Sequence, residues 1–108
     1  MENLLCIHPG ETLLEDFMLP YNLTAENVAE DIGVCVTEVS ELINAKRAIT
    51  ADMALRLGRY FGTSAKIWMR LQARYDLEVA QQNVGSQIER DVKIHPPARQ
   101  FLAAYALV

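Results

Sequence analysis

The chain has 108 residues, 51% of them hydrophobic, which suits one domain with a modest core and argues against a disordered segment. Its formal net charge of −4 excludes a uniformly basic nucleic-acid binder, but residues 46–74 hold Lys46, Arg47, Arg56, Arg59, Lys66, Arg70 and Arg74 against Asp52 alone, whereas residues 1–45 hold nine acidic side chains and no Lys or Arg. Phosphate contacts respond to the field within a Debye length, roughly 8 Å at physiological salt, so a basic stretch on an acidic protein still permits DNA contact. Cys6 and Cys35 sit in apolar surroundings 29 residues apart and read as free, buried thiols. MENLLCIHPGE has neither a basic leader nor a long apolar run, so a cytoplasmic protein with no membrane partner is expected.

In chain order, His8-Pro9-Gly10-Glu11 opens the first helix, because proline tolerates the first helical position and its missing N–H would be unpaired there anyway. His8 reads as a cap rather than a catalytic group. Leu13, Leu14, Phe17 and Met18 supply an apolar face, and Pro20 stops the run.

TAENVAEDIGVCVTEVSELINAKRAIT, residues 24–50, then reads as two short helices meeting at a glycine turn, a helix-turn-helix. Thr24 is the expected N-cap, and Val28, Ala29 and Ile32 share one helical face. Ala29 is the small residue at the crossing, Gly33 makes the turn, and Val39 locks the second helix against the first. That second helix runs from Val36 or Thr37 to about Asn44, with Val39, Leu42 and Ile43 inward and Thr37, Glu38, Ser40 and Glu41 outward. Small polar side chains of this kind can enter a DNA major groove. The alternative is a helical hairpin without a ligand.

Ala45-Lys46-Arg47-Ala48-Ile49 is a loop whose two cations are expected on phosphates. Arg56 and Arg59 read equally as DNA contacts or solvated helix faces. Thr50 caps a helix from Ala51 to about Phe61, which carries Met53, Ala54, Leu57 and Phe61 and ends at Gly62. Ser64 caps the longest helix, expected to reach roughly Gln81 with Ile67, Trp68, Leu71, Tyr75 and Val79 on its apolar side. Asn83-Val84-Gly85-Ser86 is the expected boundary between a domain at 1–82 and a tail at 83–108. In the tail, Phe101, Leu102, Tyr105 and Val108 would line one side of a small helix.

No phosphate-cradling glycine loop, nucleophile elbow, HExxH or CxxC pair is present, and Cys6, His8, Cys35 and His95 lack zinc-site spacing. No enzyme, cofactor or metal is expected.

HPGExLLEDF at 8–17, INAKRAITADMALRLGRYFGTS at 43–64 and IWMRLQARYDLEVA at 67–80 together resemble the HigA-type (VapI-like) antitoxins of the Xre helix-turn-helix class. The resemblance spans about residues 7–80. It implies an all-α, five-helix, lambda-repressor-like domain with a C-terminal tail, which dimerises, represses its own operon on operator DNA, and neutralises a RelE-like (HigB-type) toxin that cleaves mRNA. Carried over by position, Thr37, Glu38 and Ser40 are the implied recognition-helix contacts and Lys46 and Arg47 the basic pair, while the outer residues Glu41 and Asn44 are added as candidate DNA contacts. Trp68, Leu71 and Tyr75, on the family's long-helix motif, or the tail stripe, are expected to supply the dimer contact. Gln72, Asp76 and Leu77 fall on the same long-helix motif. The chain departs from the pattern at Cys35-Val36, commonly Pro-Pro, at Glu38, commonly basic or amide, and at Ala45, commonly glycine. Two other functions fit the residues: a free-standing regulator without a toxin, and a protein-interaction module that has lost DNA binding.

Overall fold

A computed structural model describes residues 6–96, and the expected tail helix at 98–108 lies outside them. Five helices make up the described chain, with no strand among the described residues. The first, α1, starts as Pro9–Thr12, with the His8 Nδ1 accepting the Gly10 amide at 2.9 Å as its N-cap. It continues as π-helical Leu13–Met18 and closes in a 3₁₀ turn, Leu19–Tyr21. Pro20 has no amide to return to an α-helical ladder, and the wider ladder carries the chain into it, the Leu19 amide reaching the Leu14 carbonyl. Proline therefore ends the helix as expected, but by widening it first. Leu13 and Met18 are buried, with Leu14 and Phe17 packed beside them.

Helix α2, Ala25–Ile32, is fixed at its start by a reciprocal cap, in which Thr24 Oγ1 accepts the Asn27 amide and Asn27 Oδ1 accepts the Thr24 amide. Gly33 follows at φ 77°, and the amides of Gly33 and Val34 both donate to the Ala29 carbonyl at 2.9 and 3.0 Å. That left-handed turn is what a side chain would resist. Helix α3, Val36–Ile43, leaves it at once. Helices α4, Ala51–Phe61, and α5, Ala65–Asp91, carry the expected caps, Thr50 and Ser64, whose hydroxyls accept the Met53 and Ile67 amides.

The core joins Leu13, Met18, Val28, Val39, Leu42, Leu57 and Trp68, each almost wholly removed from solvent. Trp68 lies inside this core, tilted against Phe17 at 5.2 Å, and its Nε1 donates to Thr63 Oγ1 at 2.8 Å. It is thus unavailable as the dimer contact expected of it. Ile67, expected inward, is 44% exposed, and Gln72 is buried instead, one turn after Trp68. The thiols also differ from expectation: Cys35 is exposed and Cys6 half-buried, both free.

Helix α5 does not stop near Gln81 but continues unbroken through Asn83–Ser86 to Asp91. A mid-helix glycine costs only about 1 kcal/mol relative to alanine, and at Gly85 the Gln81 side chain covers the exposed backbone, 3.3 Å from where a Cβ would sit. No break in secondary structure therefore marks residue 82.

Candidate nucleic-acid interface

Successive helical residues turn by about 100°. With Val39 and Leu42 buried, this places Thr37, Glu41 and Asn44 at the centre of the outer face of α3, within an arc of about 60°. Ser40 and Glu38 lie on its flanks. Thr37 and Asn44 are exposed, and the other three are half-buried. The face is fully polar. Asn44 Nδ2 donates to the Ser40 carbonyl at 2.8 Å, while Glu41 Oε1 accepts from Arg47 Nε at 3.0 Å and Nη2 at 2.7 Å. An acidic residue of the outer face is thus matched by a cation from the following loop.

The loop reaches this position through Ala45, which is left-handed at φ 60°, while Asn44 is not, at φ −97°. The Lys46 amide then donates to the Glu41 carbonyl at 2.8 Å, closing the C-terminus of α3. Lys46, Arg47 and Ala48 are all exposed, and Ile49 is buried.

Three contacts from outside the motif hold α3 and the segments on either side of it in place, none of them anticipated from sequence. Gly10 of α1 abuts the end of α3 so closely that a Cβ there would lie 1.7 Å from the Leu42 carbonyl oxygen. Buried Gln72 of α5 accepts the Ile49 amide at 2.7 Å and donates to Asp76 at 2.9 Å, tying the basic loop to the long helix. Arg56 of α4 donates through Nη1 to the carbonyls of Ile32 and Gly33 at 2.7 and 3.3 Å, and through Nε to Asp52 at 2.6 Å. The Asp52 hydrogen bond, followed by its charge, holds the Arg56 guanidinium above its ordinary pKa, with Glu38 of α3 assisting. Arg56 closes the end of α2 from a neighbouring helix, a structural role.

His8 completes this scaffold. Its ring meets Tyr75 edge-on with centroids 4.8 Å apart, and its Nδ1 accepts the Gly10 amide. Burial pushes its pKa down, against the opposing pull of Asp76, the Arg47 backbone and Glu11.

Lys66 and Arg70 border a groove between α4 and α5 whose floor includes Ala54 and Ala65, with Leu55 and Met69 at its sides. Arg74 pairs with Glu78 at 3.3 Å. Of the expected dimer contacts, Leu71 and Tyr75 are only half-buried, but Tyr75 already faces His8.

Residues 14–68 match a family model described as "Helix-turn-helix". The chain belongs to this helix-turn-helix family. Within it, the chain is 44% identical over 77 residues to virulence-associated protein I of Dichelobacter nodosus, covering 71% of each protein. Among solved structures it is similar to the Pseudomonas aeruginosa antitoxin HigA with the higBA promoter, at TM-score 0.80 and 41% identity over 82% of this chain and 96% of that one. It is also similar to an addiction module antidote protein of the HigA family from Coxiella burnetii, at TM-score 0.80 and 37% identity over 83% and 98% of the two chains. This helix-turn-helix protein is therefore of the Xre, HigA-like type that the sequence motifs suggested, and the proteins it resembles are regulators and antitoxins rather than enzymes.

Proposed function

We propose that the chain is an operator-binding autorepressor and antitoxin of a toxin–antitoxin operon, acting in the cytoplasm. The observation that carries this reading is the outer face of α3, small and polar from Thr37 to Asn44, on a helix whose inner face is locked by Val39 and Leu42 and whose end is seated on Gly10. Such a rigid polar helix suits the major groove. Lys46 supplies a phosphate contact beside it. The relatives described as antitoxin and antidote support the second half of the reading, neutralisation of a RelE-like (HigB-type) toxin encoded nearby.

One α3 offers few base contacts, and a two-fold pair doubles them across half-sites about 34 Å apart. The dimer surface we assign is the alanine-floored groove of α4 and α5, where Leu55 is 65% and Met69 39% exposed. Residues 1–82 carry the DNA-binding unit, and 83–108 serve a partner contact.

Gel shift on the DNA upstream of its own gene, with co-purification of the product of the adjacent short reading frame, tests the whole reading. A shifted band with a co-purified ribonuclease supports it. A band without a partner favours the free-standing regulator, and no band at all favours the interaction module. Light scattering at micromolar concentration should show a dimer that Leu55→Glu reduces to the 12.2 kDa monomer.

A further inference from the structure

From the way the Arg47 side chain folds back onto Glu41 of α3 we infer that this arginine reads a guanine in each operator half-site instead of clamping a phosphate. The inference rests on the operator-binding reading and names the specificity residue of that same surface.

Three observations carry it. First, Arg47 stands four residues beyond the last residue of α3, yet the left-handed turn at Ala45 sends the chain back, and its guanidinium comes to rest on Glu41. Glu41 shares the central arc of the outer face with Thr37 and Asn44, so the cation lies over the face that would enter the groove. Second, Glu41 Oε1 takes the Nε and Nη2 hydrogens of one side of the guanidinium. The end-on fork formed by Nη1 and the second Nη2 hydrogen is left for another acceptor, and no hydrogen bond from Nη1 occurs among the described residues. Guanine offers O6 and N7 in the major groove at the spacing of that fork. Third, the two side chains are 41% and 40% exposed, too open for the pair to add much stability. What the pair does is hold a planar fork in one orientation before DNA arrives, which reduces the ordering needed on binding.

A phosphate contact needs charge, and lysine supplies it; a guanine contact of this kind needs the fork, which lysine lacks. Arg47→Lys therefore separates the two. The full chain and its Arg47→Lys and Glu41→Gln variants are each used to select from a randomised duplex library. Guanines in the wild-type motif are then replaced one at a time by 7-deazaguanine, which lacks the N7 acceptor. For wild type, a base-pair change at one symmetric guanine should cost roughly 5- to 150-fold in affinity, and 7-deazaguanine at that position should weaken binding. Arg47→Lys should be nearly indifferent there, keep the rest of the motif, and keep the salt slope, since its charge is unchanged. Glu41→Gln should lose part of the guanine preference without losing overall affinity, because a negative charge has left the DNA-facing surface. Full retention of every guanine preference by Arg47→Lys would return Arg47 to the phosphates and overturn the inference. Selection of no sequence by wild type would overturn the operator reading together with it.

Discussion

Gly10 and Leu42 meet backbone to backbone: the space a Cβ would fill at position 10 is already occupied by the Leu42 carbonyl, with its oxygen 1.7 Å and its carbon 2.6 Å away. Backbone, unlike a flexible side-chain end, cannot swing aside. Gly10→Ala is therefore expected to cost about 3 kcal/mol, the upper end of the overpacking range, and to weaken DNA binding through the displaced end of α3. Urea unfolding measures the first and gel shift the second. A loss below about 1 kcal/mol would mean that α1 slides off α3 without consequence.

Ala45 pays for a left-handed backbone at φ 60° that glycine would adopt freely. Ala45→Gly should raise stability by about 1 kcal/mol, or roughly 4 to 8 °C in Tm for a domain of this size. Base preference should not change, since the substitution alters no side chain of the outer face. Calorimetry showing an unchanged or lower Tm would mean that the looser glycine chain costs as much in the unfolded state as the strain it relieves.

Lys46 and Arg56 should part company in salt titrations. Lys46→Ala removes one phosphate contact per subunit, so a dimer should show a log–log slope shallower by roughly 2. Arg56→Met removes the closure of α2 at Ile32 and Gly33 and so disturbs the angle between α2 and α3. Affinity should fall for all sequences while the slope holds. A slope that changes with Arg56 as much as with Lys46 would make Arg56 a phosphate ligand.

His8 couples stability to pH. Its folded pKa is held below the ordinary value of about 6.5, chiefly by burial. The unfolded chain therefore takes up the proton first as pH falls, so the contribution of His8 is intact above about 6.5 and is lost below it, down to the folded pKa. His8→Asn keeps a side chain able to cap α1 but does not titrate. Urea midpoints compared at about pH 7.5 and 5.5 should fall further for wild type than for His8→Asn; equal declines would place the titration elsewhere.

What the sequence made legible was local. Thr24, Thr50 and Ser64 cap helices because a hydroxyl before an apolar-periodic run has few other uses, and Gly33 and Gly62 mark exits for the same kind of reason. Contacts between elements distant in sequence were harder to read. Gln72 is polar and so falls outside the apolar set of α5, although it stands four residues after Trp68 and three before Tyr75, on the buried side, with its carboxamide oxygen accepting the Ile49 amide. Trp68 looked like interface because an aromatic stripe does not say which partner it faces. Arg56 carried too general a signal, a cation on a helix, to disclose that it closes the end of another helix. At Gly85, propensity suggested a stop that the surrounding helix overrode.

The far end of α5 has a consequence for exchange with solvent. From Ala80 to Asp91 every described residue except Gly85 is exposed, so their amide hydrogens rest chiefly on the helix's own ladder. A helical segment that short is marginal without tertiary support. Deuterium should therefore enter from Asp91 inward by fraying, in a gradient that steepens sharply near Tyr75 and Gln72, where opening the helix also requires breaking into the core.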